Sequence, residues 1–466
     1  MTQSAATNGH SATTDATDGQ QTENALTSGK GEPTSVEKLA AWSEWMPGIY
    51  KSRQGPRALG TVRFSEIEEK ARQTLKDVPE AFWYAYGSAG THGTCDANIR
   101  AYSKFGIIPR MLVDASPQYR SLETTLFGVK YPTPVLVAPI GVQTIFHPDG
   151  EEASSGAAGR LGIPYIMSTA SSRSIETVAR SNGEGNPRWF QLYWPRTNDI
   201  TLSLLSRAKK AGFAALVVTL DTMTVGWRPH DLAKAYSPFA HSVGCQVGRS
   251  DPVFMAKFGR EPIVNERPRF PYMPDEMDAA FAAGDEKVKD DIFLGSEWLG
   301  EITSGTFKGW DDLAFLHRNW DGPLILKGIQ SVHDAETALL HGADGIIVSN
   351  HGGRQVDGAI PSLFALERIM RSDKIKEAQR SGKLTILCDS GIRSGPDIVK
   401  ALALGAQAVL LGRPWLYGMI AGGQAGAEQV LQHTIADLDT TMALSGLRTV
   451  ADIQGKGEDV VVRIDV

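Results

Sequence analysis

The sequence predicts an α/β fold in which eight parallel strands close into a (β/α)8 barrel, and three observations predict it. Beyond Tyr131, short apolar runs recur at residues 134–139, 164–168, 189–193, 215–220, 323–327, 345–349, 384–389 and 408–412. They lack polar/apolar alternation, which marks strands buried on both faces of a parallel sheet. Helix-like stretches separate them, at 151–161, 174–180, 199–211, 333–341 and 397–404, and Gly162, Gly212, Gly342 and Gly405 stand near their ends as left-handed caps would. Finally, run after run ends in a polar or ionisable residue, and a barrel carries its chemistry at those ends. Eight β-α units favour closure over an open doubly wound sheet.

Taken in order, residues 1–35 are rich in Ser, Thr, Ala, Gly and Gln and nearly free of large apolar side chains. Such a segment buries too little surface to offset its ordering entropy, so a disordered tail is expected there, with residues 36–466 forming the body. It lacks the apolar centre of a secretory signal, Asp15, Asp18 and Glu23 do not suit a mitochondrial presequence, and Ile464-Asp465-Val466 is no peroxisomal address. The third run ends in Gln191-Leu192-Tyr193 and the fourth in Thr219-Leu220-Asp221, with Arg228 a little beyond. Residues 229–310 then interrupt the rhythm with a mixture of Pro, Gly, charge and aromatics too long for one helix. An insertion of that length on a βα loop is expected to cover the active face as a lid; the alternative is an unrelated surface excursion.

The fifth run ends in Lys327-Gly328, the sixth leads to His351 and Arg354, the seventh to Asp389-Ser390-Gly391-Ile392-Arg393, and the eighth to Gly412-Arg413-Pro414. An unpaired buried charge costs several kcal/mol, so this many strand ends carrying charge define one polar cup. Within it, Ser349-Asn350-His351-Gly352-Gly353-Arg354-Gln355-Val356-Asp357-Gly358 sets an imidazole and a guanidinium three residues apart in a glycine-rich turn. Histidine accepts a proton near neutral pH, and arginine grips a carboxylate through parallel hydrogen bonds. A base beside a carboxylate clamp suits chemistry at the carbon next to a carboxylate; the bland alternative is a polar turn after a core strand. The last two turns suit phosphate. Gly391 admits a close backbone approach, Arg393 and Arg413 bring charge, and Ser394-Gly395-Pro396-Asp397 opens a helix whose N-terminus favours an anion. Alternatively, the two arginines salt-bridge the barrel rim.

Composition narrows the classes. A chain of 466 residues with 42% hydrophobic and 21% charged residues has ample core for a globular protein, and a net charge of −6 disfavours nucleic acid as a partner. No apolar stretch approaches the roughly 18 residues that span a bilayer. Cys95, Cys245 and Cys388 are too few and too scattered for a disulfide frame or a metal site, which fits a cytoplasmic location.

From about Phe64 to Gly446 the chain resembles the FMN-dependent L-2-hydroxy acid oxidases and dehydrogenases, on Ser349-Asn350-His351-Gly352-Gly353-Arg354-Gln355 above all. Gly226-Trp227-Arg228-Pro229, Ser250-Asp251-Pro252-Val253-Phe254 and Asp389-Ser390-Gly391-Ile392-Arg393 are most similar to the lactate 2-monooxygenase and lactate oxidase branch. The resemblance implies His351 as base, Asp221 as the carboxylate supporting its imidazolium, and Arg354 and Tyr84 as ligands of the substrate carboxylate. It implies that Tyr193 bonds the substrate hydroxyl, that Arg228 lies close to the substrate, and that Lys327 faces the flavin N1 and O2. FMN contacts would include Pro139, Ile140, Gly141, Ser168, Gln191 and Thr219, with Asp389, Gly391, Arg393, Gly412 and Arg413 on the ribityl and phosphate. After Tyr84 the family's usual small-Gly-acidic turn is replaced by Gly87-Ser88-Ala89-Gly90-Thr91-His92-Gly93. Ala170 stands where some members carry a bulky aromatic, which implies room for a side chain larger than methyl unless an insertion residue fills it.

The expected function is therefore oxidation of a lactate-like L-2-hydroxy acid with O₂ as acceptor, with oxidative decarboxylation as a further outcome, in a homotetramer or larger ring. Two alternatives stay open: a dehydrogenase passing electrons to a quinone or cytochrome, and a flavin-binding protein without turnover.

Overall fold

The computed structural model describes residues 42–464, so the tail expected over residues 1–35 lies outside the described residues. Eight parallel strands close into a barrel. They are β1 (Val135–Val137), β2 (Tyr165–Met167), β3 (Arg188–Leu192), β4 (Leu216–Thr219), β5 (Leu324–Ile329), β6 (Gly345–Val348), β7 (Thr385–Cys388) and β8 (Ala408–Leu411). Six of them are buried at every position, as continuous apolar runs require.

Several strands are shorter than the apolar runs, and the prolines explain it. Pro134, Pro164 and Pro323 offer no N–H to the ladder and fall outside it. Their carbonyls still serve: Val409, Val137 and Leu216 donate to them at 2.8, 2.9 and 2.9 Å. β5 runs past the expected end at Lys327 to Ile329, with a shift of register against β6 between those two residues.

The helices Glu151–Arg160, Ile175–Asn182, Asn198–Lys210, Val332–Leu340 and Gly395–Ala403 follow strands as expected, and the chain returns over the barrel in Arg413–Leu444. Inside the barrel lies an apolar stack that includes Leu136, Ile166, Trp189, Val217, Ile325, Ile347, Leu387 and Leu410. A short antiparallel hairpin (Thr124–Leu126 with Val129–Tyr131) caps its N-terminal end. There Phe127 meets the ring of Trp189 at 5.8 Å, and Leu126 is wholly buried.

Residues 229–310 fold into short helices, of which Glu286–Ile302 is the longest. Trp298 packs edge-on to Phe254 at 5.1 Å, and the buried Arg249 is paired with Glu266 at 2.7 Å and Asp291 at 2.6 Å. No helix of the described residues is long and apolar enough to cross a membrane.

Candidate active site

The C-terminal ends of the strands open into a cavity of about 570 Å³. β6 stops at Val348, and the chain turns at once into the single 3-10 turn His351–Gly353. Asn350 and Asn98 exchange two side-chain hydrogen bonds of 2.8 Å, which pin that turn to the helix Gly93–Ser103. His351 has a φ of 59°, a left-handed conformation that L-residues hold only when their surroundings impose it. Its backbone N–H donates to the Ser349 hydroxyl at 3.0 Å.

Held this way, the imidazole Nδ1 lies 2.8 Å from Oδ1 of Asp221, just past the end of β4. Thr222, which sequence reasoning did not single out, braces the pair: its hydroxyl donates to Asp221 Oδ1 at 2.9 Å and lies 3.3 Å from His351 Nδ1. Burial pulls the imidazole below the ordinary histidine value of 6.5, with Lys327 and Arg228 adding to it, and the Asp221 carboxylate opposes them in part. Burial alone would raise Asp221, but the imidazole and the Lys327 ammonium outweigh it and hold the carboxyl well below the usual range. The pair is a neutral base backed by an ionised carboxylate.

Lys327 on β5 is buried, with Nζ 3.1 Å from the Ser349 hydroxyl, 3.7 Å from Asp389 and 4.0 Å from Asp221. Burial works against its charge, yet Asp389 and Asp221 more than offset it, and the ammonium is held above its ordinary range.

Four arginines line the cavity, and among the described residues none of them has a carboxylate within 4.0 Å. Arg354 donates through Nη1 to the carbonyls of Tyr84 at 2.6 Å and Gly87 at 2.7 Å, and its guanidinium lies 5.2 Å from the Tyr84 ring centroid. Arg228 donates to the Arg354 carbonyl at 3.2 Å and to Gln355 Oε1 at 2.8 Å. Arg413 binds the carbonyls of Ala85, Gly352, Tyr86 and Gly87, while Arg393 lies over the Phe64 ring at 4.7 Å. Salt-bridged rim arginines are thus ruled out among the described residues: these cations are oriented by neutral carbonyls and rings. Asp231, also in the wall, is pushed up by burial, with Arg354 and Arg228 only partly offsetting it. Such a wall selects anions.

The cavity wall also contains Pro139, Ile140, Gly141, Ala170, Tyr84, Tyr193, Lys327, Asp389, Gly391 and Gly412. Ser168, Gln191, Thr219 and Asp221 stand behind it, all but Asp221 almost fully buried. Ala170 is small, but the insertion closes in: a methyl placed on Gly244 would lie 3.0 Å from Phe239, 3.0 Å from Val142 and 3.2 Å from the Ala170 carbonyl. Phe239, Tyr236, Leu299 and Ile302 of the insertion line the cavity; Tyr236 and Phe239 belong to the aromatics that stand out in the segment, while nothing in the sequence marks Leu299 and Ile302.

One expectation is overturned. The helix Gly395–Ala403 does not offer its N-terminus to an anion, because two carboxylates already occupy it. Asp397 accepts from the backbone N–H groups of Arg393 at 3.0 Å and Ser394 at 3.1 Å, and Asp437 accepts from Gly395 at 2.6 Å. The helix that does open at the cavity is Arg413–Leu444, whose first residue and whose cap Gly412 are in the wall.

A flat, phosphate-bearing cofactor fits these residues. The Gln191 side-chain nitrogen and Arg393 Nε are buried donors with no partner among the described residues. At Gly412 an added Cβ would project into open space, its nearest neighbours 3.9 Å away, so the backbone is free to lie against a ligand. Fold and site together define a closed α/β barrel whose strand exits form one cationic rim suited to anions.

Comparison with known proteins agrees. Residues 71–459 match the FMN-dependent dehydrogenase family. An FMN-dependent alpha-hydroxy acid dehydrogenase of Schizosaccharomyces pombe is 44% identical over 80% of this chain and 84% of its own length. An L-lactate oxidase of Lysinibacillus sphaericus is 37% identical over 86% of this chain and 94% of its own. The crystal structure of a mandelate oxidase superimposes with a TM-score of 0.67 at 33% identity, covering 87% of this chain and 100% of that one. The chain belongs to the FMN-dependent 2-hydroxy acid oxidoreductase family, and FMN is its cofactor.

Proposed function

We propose that the chain oxidises an L-2-hydroxy acid to the 2-oxo acid and is reoxidised by O₂. One observation carries this reading: an imidazole hydrogen-bonded to a carboxylate shares the cavity with two arginines, Arg354 and Arg228, that have no carboxylate within 4.0 Å among the described residues. FMN, when bound, accepts the two electrons and the hydrogen from the α-carbon. Everything else falls to the protein.

Arg354 and Arg228, with the Tyr84 hydroxyl, hold the substrate carboxylate. An uncharged alcohol would leave these cations unpaired in a buried site, a loss of roughly 2–5 kcal/mol. Fixing the carboxylate and the hydroxyl presents a single hydrogen to the flavin, and stereoselectivity follows from that placement. Tyr193 bonds the hydroxyl, and burial keeps its phenol protonated. His351 takes the hydroxyl proton as the carbonyl forms, and Asp221 stabilises the resulting imidazolium. Lys327 would supply positive charge to the reduced flavin, and Pro139, Ile140, Gly141, Ser168, Gln191 and Thr219 would hold its ring system. Asp389, Gly391, Arg393, Gly412 and Arg413 would hold the ribityl and phosphate.

The apolar contribution of the insertion, Tyr236, Phe239, Leu299 and Ile302, supports a second outcome. A covered site retains the oxo acid beside the H₂O₂ formed on reoxidation. Peroxide then cleaves it: RCOCOO⁻ + H₂O₂ gives RCOO⁻, CO₂ and H₂O. Product analysis after turnover of L-lactate in air tests this. Acetate and CO₂ in place of pyruvate and H₂O₂ are expected for the covered site; stoichiometric pyruvate and H₂O₂ remove the decarboxylation and leave the oxidase. Dye reduction without O₂ consumption removes O₂ as acceptor.

A further inference from the structure

We infer that Gln355 is a positioning residue that sets the proton acceptor and the anion anchor at once, by clamping the loop after β4 onto the turn after β6; the inference rests on the function proposed above. The two halves of the site come from different loops. Asp221 and Arg228 lie on the first, His351 and Arg354 on the second, and no covalent geometry fixes one against the other. The Gln355 amide spans them with its full hydrogen-bonding capacity. Its nitrogen donates to the carbonyls of Asp221 at 2.7 Å and Thr224 at 2.9 Å. Its oxygen accepts from the Gly226 backbone N–H at 3.2 Å and from Arg228 Nη2 at 2.8 Å.

A second observation points the same way. At Gly226 an added Cβ would lie 2.5 Å from the Arg354 carbonyl oxygen and 2.8 Å from Gln355 Cα, so the two backbones touch and only glycine permits it. Arg228 completes the clasp through its bond to the Arg354 carbonyl. The Gln355 side chain is not among those lining the cavity. Its effect on the reaction passes through the Asp221 carboxylate that backs His351 and through the direction of the Arg228 fork.

The consequence is a paired signature. Loosening the clasp misdirects Arg228 and weakens binding of the carboxylate. It also separates Asp221 from His351. Asp221 is the group that raises the imidazole against burial, Lys327 and Arg228, so its retreat moves the histidine to a lower value. A side chain that served only stability would lower the melting temperature and shift neither quantity.

The test uses the FMN-loaded enzyme. Gln355→Met keeps the side-chain length and removes all four hydrogen bonds, and Gly226→Ala forces the loops apart from the other side. Each is reduced anaerobically by L-lactate, glycolate and L-mandelate across a pH series, and the matching 2-oxo acids are titrated calorimetrically. In Gln355→Met, Kd for substrate and product should rise by about 10- to 100-fold, the worth of a lost hydrogen bond to a charged group. The acid limb of flavin reduction should move to lower pH. Gly226→Ala should reproduce both changes, and the double variant should show less than their product, because both substitutions open one clasp. Kd within about twofold of the parent with an unmoved acid limb, in Gln355→Met or, should that variant not accumulate, in Gly226→Ala, overturns the inference and leaves the proposed function standing. A parent enzyme reduced by none of the acids overturns the proposed function instead, and the 2-oxo acid titrations then judge the clasp.

Discussion

The two ends of the barrel are built from the same eight strands and oppose each other in chemistry. At the N-terminal end, Phe127, Trp189 and Leu126 close the sheet with apolar surface, and Leu126 has no exposure at all. At the C-terminal end the strands run out into Asp221, Lys327, His351 and Asp389, with Arg228, Arg354, Arg393 and Arg413 around them. The period of the strand lets one segment serve both, because burial is set along its middle and chemistry only at its exit. The plug stabilises by removing apolar area from water. The rim carries charges oriented by carbonyls, rings and one another, and spends stability to hold them.

Substitutions at the two ends should therefore separate rate from stability. His351→Gln, at the rim, should slow anaerobic flavin reduction by about 10²- to 10⁴-fold, with FMN still bound and the unfolding transition little moved. Stopped-flow absorbance and a denaturant titration read the two; unchanged reduction would remove His351 as the base. Leu126→Ala, at the plug, should do the reverse. It should cost about 2–5 kcal/mol of unfolding free energy and leave the reduction rate of the folded fraction intact; a large rate loss would mean that the plug reaches the chemistry.

The smallest effect lies in pH. With His351 as the proposed base, reduction needs the neutral imidazole and should be lost as pH falls through the histidine value. That value lies below 6.5, chiefly because the ring is buried, and the plateau should extend into mildly acid solution. Asp221→Asn removes the charge that raises the ring and should move the acid limb lower still. A limb above 6.5 in the parent enzyme would contradict the burial of the imidazole.

The barrel was legible because strands buried on both faces must be apolar throughout, and their polar exits then stand out. Hence Gln191, Thr219, Lys327, His351 and Asp389 could be located from local composition alone. What escaped has partners far away in the chain. The Asn98–Asn350 exchange joins residues 252 apart, and the Asp437 bond to Gly395 joins residues 42 apart, so neither leaves a local pattern. That second bond is why the helix at Ser394-Gly395-Pro396-Asp397 looked free for a phosphate and is not. The insertion was recognisable as an interruption, but its helices Gln246–Arg249 and Pro252–Ala256 are too short to show a period. Gln355 was visible within its motif, yet its role needs both loops in view.

Arg393 and Arg413 face one cavity with no carboxylate within 4.0 Å among the described residues, and Arg413 adds to burial in lowering the affinity of Arg393 for its proton. Two like charges so placed repel, and folding brings them together. On the proposed placement the flavin phosphate is their counter-ion, so the folded chain and the flavin should support one another by mass action. Stripping the flavin should expose that repulsion, and the heat tolerance of the protein should then follow how much cofactor is present.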